Sequence, residues 1–266
     1  MSARPAVLLT NDDGIDATGI RALYDALESV TDVTMVAPAT DRSGMSRSDS
    51  SAFTVEERAE GYAVHGTPVD CVHFGRGKLE REFDVVVSGC NDSPNLGAHK
   101  IERSGTVCAA IEAGFLGLPG IALSLYDSVT GSREFGRDEY ADAERITRYL
   151  VRETLELGDR RPFDYLNVNV PAGESDPRIR ITEPTYHFDV RIDERPDGTY
   201  RAWDHFYDPL DPSVDVDLTD PVGTDRRAVA DGEVSITPLF VDHRTPELDA
   251  LESLASGYSS DGEGRR

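Results

Sequence analysis

Three short segments of this 266-residue chain carry the side chains best suited to chemistry. Asn11-Asp12-Asp13-Gly14 sets two carboxylates side by side, Asp41-Arg42-Ser43-Gly44 offers a hydroxyl, and Ser88 to Gly97 (SGCNDSPNLG) is rich in amide and hydroxyl groups. Asp12 and Asp13 together can hold one divalent cation, with the Ser43 hydroxyl and the Asn91 amide oxygen completing an all-oxygen shell. Hard ions such as Mg²⁺ and Mn²⁺ prefer such donors and leave positions to water or a substrate phosphate. No histidine or cysteine pair has zinc spacing. A plainer reading stands beside this one, in which Asn-Asp-Asp-Gly is turn chemistry followed by a helix cap.

Ser104-Gly105-Thr106 adds a second kind of chemistry. It opens an alanine-rich stretch that reads as a helix, and a helix N-terminus presents unpaired N–H groups and a partial positive charge to an anion. Glycine lets a phosphate approach the backbone closely, while the hydroxyls of Ser104 and Thr106 add donors. The competing reading is an ordinary Ser or Thr cap.

Other matches carry less. Gly75-Arg76-Gly77-Lys78 resembles a phosphate loop, but Leu79 stands where Ser or Thr is needed and the glycine spacing is wrong. Asp211 to Asp220 lacks the glycine and closing glutamate of a calcium loop, so it reads as a solvated acidic face. Asn91-Asp92-Ser93 is a glycosylation sequon without a secretory context.

The elements that must position these segments follow from apolar periodicity. Ala6–Thr10, Val33–Ala37, Phe83–Ser88, Ile121–Leu125 and Tyr165–Val170 read as buried strands. Helical spacing marks 19–30, a start after Pro68 over 69–74, 104–116, and 138–157 with Ile146, Tyr149, Leu150 and Leu157 among its apolar positions. Alternating strands and helices indicate a doubly wound, mostly parallel sheet, because parallel strands need helical crossovers. The expected organisation is a Rossmann-like α/β core over 1–171, a β-rich extension or oligomerisation arm and C-terminal elements completing the same domain over 172–255, and a disordered polar tail over 256–266. Within the extension, 179–182, 186–192 and 199–203 read as strands, with Pro196-Asp197-Gly198 as a hairpin turn. In open α/β sheets ligands bind beyond the carboxyl ends of the strands, which is where all the loops above lie.

Fifty acids against 27 bases give a net charge of −23, and Lys78 and Lys100 are the only lysines. This is a halophile's composition, since a strongly negative surface keeps a protein dispersed when salt shortens the screening length to about 3 Å at 1 M. No basic stripe is available to displace phosphate counterions, which argues against a nucleic-acid polymer as partner. Cys71, Cys90 and Cys108 are too few and too scattered for a disulfide framework. MSARPAVLLT has no apolar run of signal-peptide length and no membrane-span candidate follows, so a cytoplasmic protein without membrane contact is expected.

Taken together, LLTNDDGIDATGIRAL, VAPATDRSGMS, GTPVDCV, VVSGCNDSPNLG, RSGTVCAAIEAG, LNVNVP and TDRRAVADGEVSITPL resemble the SurE (survival protein E) family of metal-dependent 5'-nucleotidases. The motifs run in order from residue 8 to about residue 240. The resemblance implies one divalent metal per subunit (Mg²⁺, Mn²⁺ or Co²⁺) on Asp12, Asp13, Ser43 and Asn91, with Asp12 and Asp13 catalytic. It implies a substrate-phosphate cradle from Asn95, Ser104, Gly105 and Thr106, and nucleoside monophosphates as substrates. It further implies a Rossmann-like core whose C-terminal β-hairpin extension is exchanged between subunits in a homodimer or homotetramer. The chain departs from the family at Cys90, at Asp92-Ser93, at Ala98-His99-Lys100, where an acidic pair is common, and at Arg103, where an aromatic residue is usual. None of these removes a metal ligand, so they bear on substrate preference more than on reaction type.

The expected activity is phosphomonoester hydrolysis of nucleoside 5'-monophosphates, with 3'-monophosphates and short polyphosphates as further substrates. Two rivals remain: an aspartyl-phosphate mechanism with Asp12 as nucleophile, and a non-catalytic nucleotide- or metal-binding regulator on the same fold.

Overall fold

A computed structural model describes residues 4–127, 133–173, 176–211 and 213–243; the expected tail over 256–266 lies outside them. In chain order the elements are β1 (Ala6–Thr10), α1 (Thr18–Glu28), β2 (Asp32–Pro38), β3 (Val55–Arg58), β4 (Gly61–Val64), α2 (Pro68–Lys78) and β5 (Val85–Asn91). There follow α3 (Ala98–Ile101), α4 (Gly105–Phe115), β6 (Gly120–Tyr126), α5 (Ala141–Leu157), β7 (Tyr165–Pro171) and β8 (Ile179–Ile181). The chain continues through β9 (Val190–Glu194), β10 (Tyr200–Asp204), α6 (Asp225–Ala230) and β11 (Val234–Leu239).

Nine strands form one sheet in the order β3-β4-β2-β1-β5-β6-β7-β11-β8. All neighbours are parallel except β3 on β4 and β11 on β7. The strands at its centre are apolar on both faces, as burial under helices on both sides requires. Side-chain alternation splits them: Val7, Leu9, Val85 and Val87 pack with Ile20, Leu23 and Leu27 of α1 and Ile146 and Leu150 of α5. Leu8 and Val86 point the other way, to Cys71 and Val72 of α2 and Ala109 and Ala113 of α4.

Sequence pattern and structure differ at the edges. The β3–β4 hairpin lies in a stretch to which the sequence pattern assigns no element, because Glu56, Glu57 and Arg58 are solvent-facing and dilute any apolar period. Beyond residue 171, β8 and β11 extend the core's sheet, and among the described residues β9 and β10 form a separate antiparallel pair. The strand expected over 186–192 begins at Val190 instead, since Thr185 is held by its N–H to buried Asp225 at 2.9 Å and Phe188 stacks on His99. Val30, Tyr149 and Leu157, placed by periodicity on inward faces, are 49%, 45% and 38% exposed. Each lies at the edge of its apolar stripe or past the helix end, where a single residue's position no longer follows from spacing.

The three cysteines are free and buried. Burial pushes the Cys71 and Cys90 thiols up, away from the reactive thiolate form. No described helix is long and apolar enough to cross a membrane.

Candidate active site

The end of β1 separates the two readings of Asn-Asp-Asp-Gly. Asn11 makes the turn by itself, its amide nitrogen donating to Gly14 O at 2.9 Å and its Oδ1 accepting from Gly14 N at 3.2 Å. Helix α1 starts after Ala17, which makes no side-chain cap bond. Neither aspartate is therefore used for turn or cap at α1. Asp12 is 4% exposed and its Oδ1 accepts the Thr106 hydroxyl from the first turn of α4. Asp13 is half-buried, and its carboxylate accepts no hydrogen bond among the described residues.

The two other loops are fastened beside this pair. Arg42 N donates to Asp12 O at 2.7 Å, and the Ser43 hydroxyl and N–H both reach Asp41 Oδ1, at 2.6 and 2.7 Å. The far end of that long loop is pinned where Ser50 N meets Asp70 at 2.9 Å. Asp70 also forms a reciprocal capping box with Thr67, followed by Pro68 at the start of α2. That is the physical content of Gly66-Thr67-Pro68-Val69-Asp70: it starts a helix and moors the Ser43 loop. The strand read over 83–88 runs on to Asn91, the last residue of β5, whose amide nitrogen is spent on Ser93 O at 2.5 Å, which leaves Oδ1 available to a cation.

Asn95 is fixed from three sides. Its N–H donates to Asn169 Oδ1 at 2.8 Å, its carbonyl accepts from Asn167 and Asn169 at 2.7 and 3.1 Å, and its amide reaches Ser124 Oγ at 2.9 Å. Leu166-Asn167-Val168-Asn169 thus supports the site through alternate residues of β7. Sequence reading assigned Asn167 and Asn169 no role; two buried amides on one strand face were the available signal. Asp225, also missed, accepts from Gly97 N at 2.7 Å and Thr185 N at 2.9 Å and so ties the loop after Asn95 to α6.

Asp12, Asp13, Ser43, Asn91, Asn95, Ser104 and Gly105 face one cleft of about 460 Å³. Thr106 is fully buried and does not line it; its hydroxyl is committed to Asp12. A Cβ on Gly105 would lie 2.7 Å from both Cβ and Oδ2 of Asp12, so only glycine lets the start of α4 close on that carboxylate. A groove of about 730 Å³ beside α5, lined by Arg148, Tyr149 and Leu155, contains neither aspartate.

Electrostatics point the same way. Burial pushes the carboxyl of Asp12 up, against the hydrogen bond from Thr106. Asp13 is pushed up by burial and then by the charges of Asp12, Asp92 and Asp41. Ionised carboxylates gathered this closely need a counter-charge, and a cation supplies one. Among the described residues no three His, Cys, Asp or Glu side chains converge as a metal cluster. The donor set is instead two carboxylates, a hydroxyl and an amide oxygen, which fits a hard ion that keeps several of its own waters.

The fold and the cleft define an α/β protein in which the start of α4 is opposed to an acidic pair. The crystal structure of SurE protein from Aquifex aeolicus superposes with a TM-score of 0.78 at 32% identity, covering 95% of this chain and 100% of that one. The model of the survival protein SurE family matches residues 7–189. Two relatives named 5'-nucleotidase SurE are similar almost end to end. That of Haloarcula marismortui is 42% identical over 97% of this chain and 96% of its own, and that of Natronomonas pharaonis 46% identical over 95% and 99%. The chain belongs to the SurE family.

Proposed function

We propose that this chain is a metal-dependent phosphatase that releases phosphate from nucleoside 5'-monophosphates, with 3'-monophosphates and short polyphosphates as additional substrates. The observation that carries the reading is the half-buried Asp13 carboxylate, which accepts no hydrogen bond among the described residues, beside Asp12 and facing the start of α4 across one cleft. The 5'-nucleotidase names of its relatives support the same substrate class.

A divalent cation held by Asp12, Asp13, Ser43 and Asn91 would polarise the phosphate and make a bound water more acidic. Gly105 N–H, at a helix start without an intrahelical acceptor, and the Ser104 hydroxyl receive the phosphate oxygens as negative charge spreads over them. The clamped Asn95 amide adds a donor whose position costs no reorganisation during the reaction. Water adds to phosphorus, the ester P–O bond breaks, and the water's proton ends on the departing nucleoside oxygen. We assign that proton to Asp13, whose carboxylate accepts no hydrogen bond among the described residues, whereas Asp12 Oδ1 already accepts one from Thr106. The Thr106 hydroxyl takes only Oδ1 of Asp12, so the aspartyl-phosphate route is separated from this one by experiment: a phospho-enzyme trapped after acid quench would establish it.

Phosphate release from a panel of 5'- and 3'-nucleoside monophosphates and tripolyphosphate, at high salt, tests the reading. After chelation, release should cease, and return on adding Mg²⁺, Mn²⁺ or Co²⁺. Release that survives chelation would remove the metal, and tight nucleotide binding without turnover in every metal would make the chain a binding regulator.

The β9–β10 hairpin also has a proposed role as the contact between subunits. Ile192 and Tyr200 on it are 60% and 68% exposed, and Tyr186 before it is 81% exposed. Light scattering should give the mass of a dimer or tetramer, and deletion of 189–204 should give a monomer. A monomeric full-length chain would refute this.

A further inference from the structure

Two positive side chains line the cleft, Lys100 and Arg103, and both stand at positions the nucleotidase reading leaves unused. They differ in what they face. Lys100 is paired with Asp204 of β10, both side chains about a quarter exposed, and lies over the Tyr207 ring at 5.5 Å. Its charge is already answered. Arg103 has no carboxylate partner among the described residues, in a chain where acids outnumber bases 50 to 27.

The backbone of Arg103 is held, so its side chain starts from a fixed point. Its N–H donates to Lys100 O at 2.9 Å and its carbonyl accepts the Ser46 hydroxyl at 3.1 Å, which joins it to the loop that carries Ser43. The residue is exposed, whereas Asp12, in the same cleft, is 4% exposed. The cleft thus has a buried acidic end, where the reacting phosphate must go, and an unpaired guanidinium on its solvent side. At about 460 Å³ it has room for a ligand much larger than phosphate. A guanidinium is matched geometrically to a phosphate, which it binds through two parallel hydrogen bonds.

We propose that Arg103 recognises a second phosphate on the substrate, so that the cleft favours nucleoside bisphosphates, esterified at the 5' and the 3' position, over monophosphates. The inference rests on the phosphatase reading above and names the substrate class of that site. The reacting phosphate is served by Ser104, Gly105 and Asn95 at the inner end. Arg103 takes the other one, and its contribution therefore depends on whether the substrate carries it.

The test compares adenosine 5'-monophosphate with adenosine 3',5'-bisphosphate for the full chain with Mn²⁺ and for Arg103→Gln and Arg103→Lys. Glutamine should lower kcat/KM for the bisphosphate about tenfold or more, mainly through KM, and lower it for the monophosphate by less than about threefold. Lysine should restore part of the loss. Equal losses on both substrates would place Arg103 on the reacting phosphate, and no loss on either would remove it from recognition; both overturn the proposal. Calorimetric titration of the same two nucleotides in chelator separates this from failure of the phosphatase reading. If no substrate is turned over, a bisphosphate Kd weakened selectively by Arg103→Gln still upholds the second-phosphate site, and an unchanged Kd refutes it.

Discussion

Asp13→Asn should lower metal-dependent phosphate release by about a thousandfold or more, since it removes a charged metal donor and the proton acceptor together. The fold should survive, because Asp13 makes no hydrogen bond among the described residues that asparagine would break. In chelator the variant should be at least as stable as the parent. The sign follows from linkage: burial and the carboxylates of Asp12, Asp92 and Asp41 raise Asp13 above its unfolded value, so the folded state holds its proton more tightly. The parent's stability from this group therefore falls as pH rises from about 4 toward 8, and the variant lacks that loss. Melting curves in chelator across that range should diverge in the variant's favour, and added Mn²⁺ should raise the Tm of the parent far more than that of the variant. Parent-like turnover in Asp13→Asn would sink the mechanism.

Asp225→Ala should be the most destabilising single change near the site, by about 3–5 kcal/mol. Asp225 is fully buried and its two oxygens accept from Gly97 N, Thr185 N and Arg226 N at 2.7, 2.9 and 2.7 Å. Truncation strands three buried donors and opens a cavity. With roughly 2–4 °C lost per kcal/mol for a domain of this size, Tm should drop by about ten degrees. Gly97 N would lose its acceptor, so Asn95, two residues earlier, should lose its position and KM should rise before kcat falls. Asp225→Asn keeps one acceptor and should fall between. A Tm within about two degrees of the parent would show that the loop is held by something else.

The alternation of buried strands with amphipathic helices was legible in the sequence because strands covered on both faces must be apolar throughout. The placement of Asp12, Asp13 and Ser43 in loops leaving those strands followed from the same pattern, whereas β5 runs on past Ser88 to include Asn91 as its last residue. What spacing could not reveal were contacts between side chains far apart in the chain. Asn167 and Asn169 look like polar interruptions of a strand until Asn95, more than 70 residues away, is seen between them. Thr106 reads as a phosphate donor until its hydroxyl is found on Asp12.

By itself, then, the sequence determined the layered α/β plan and the types of donor available, since burial and periodicity are local properties of the chain. Only the tertiary structure decided that Asn11 makes the turn and frees both aspartates, and that β8 and β11 close the sheet beyond the core. It also decided that Arg103 reaches the cleft unpaired while Lys100 does not. Such assignments depend on which groups a hydrogen bond or charge finds across space, and a one-dimensional pattern does not contain that information.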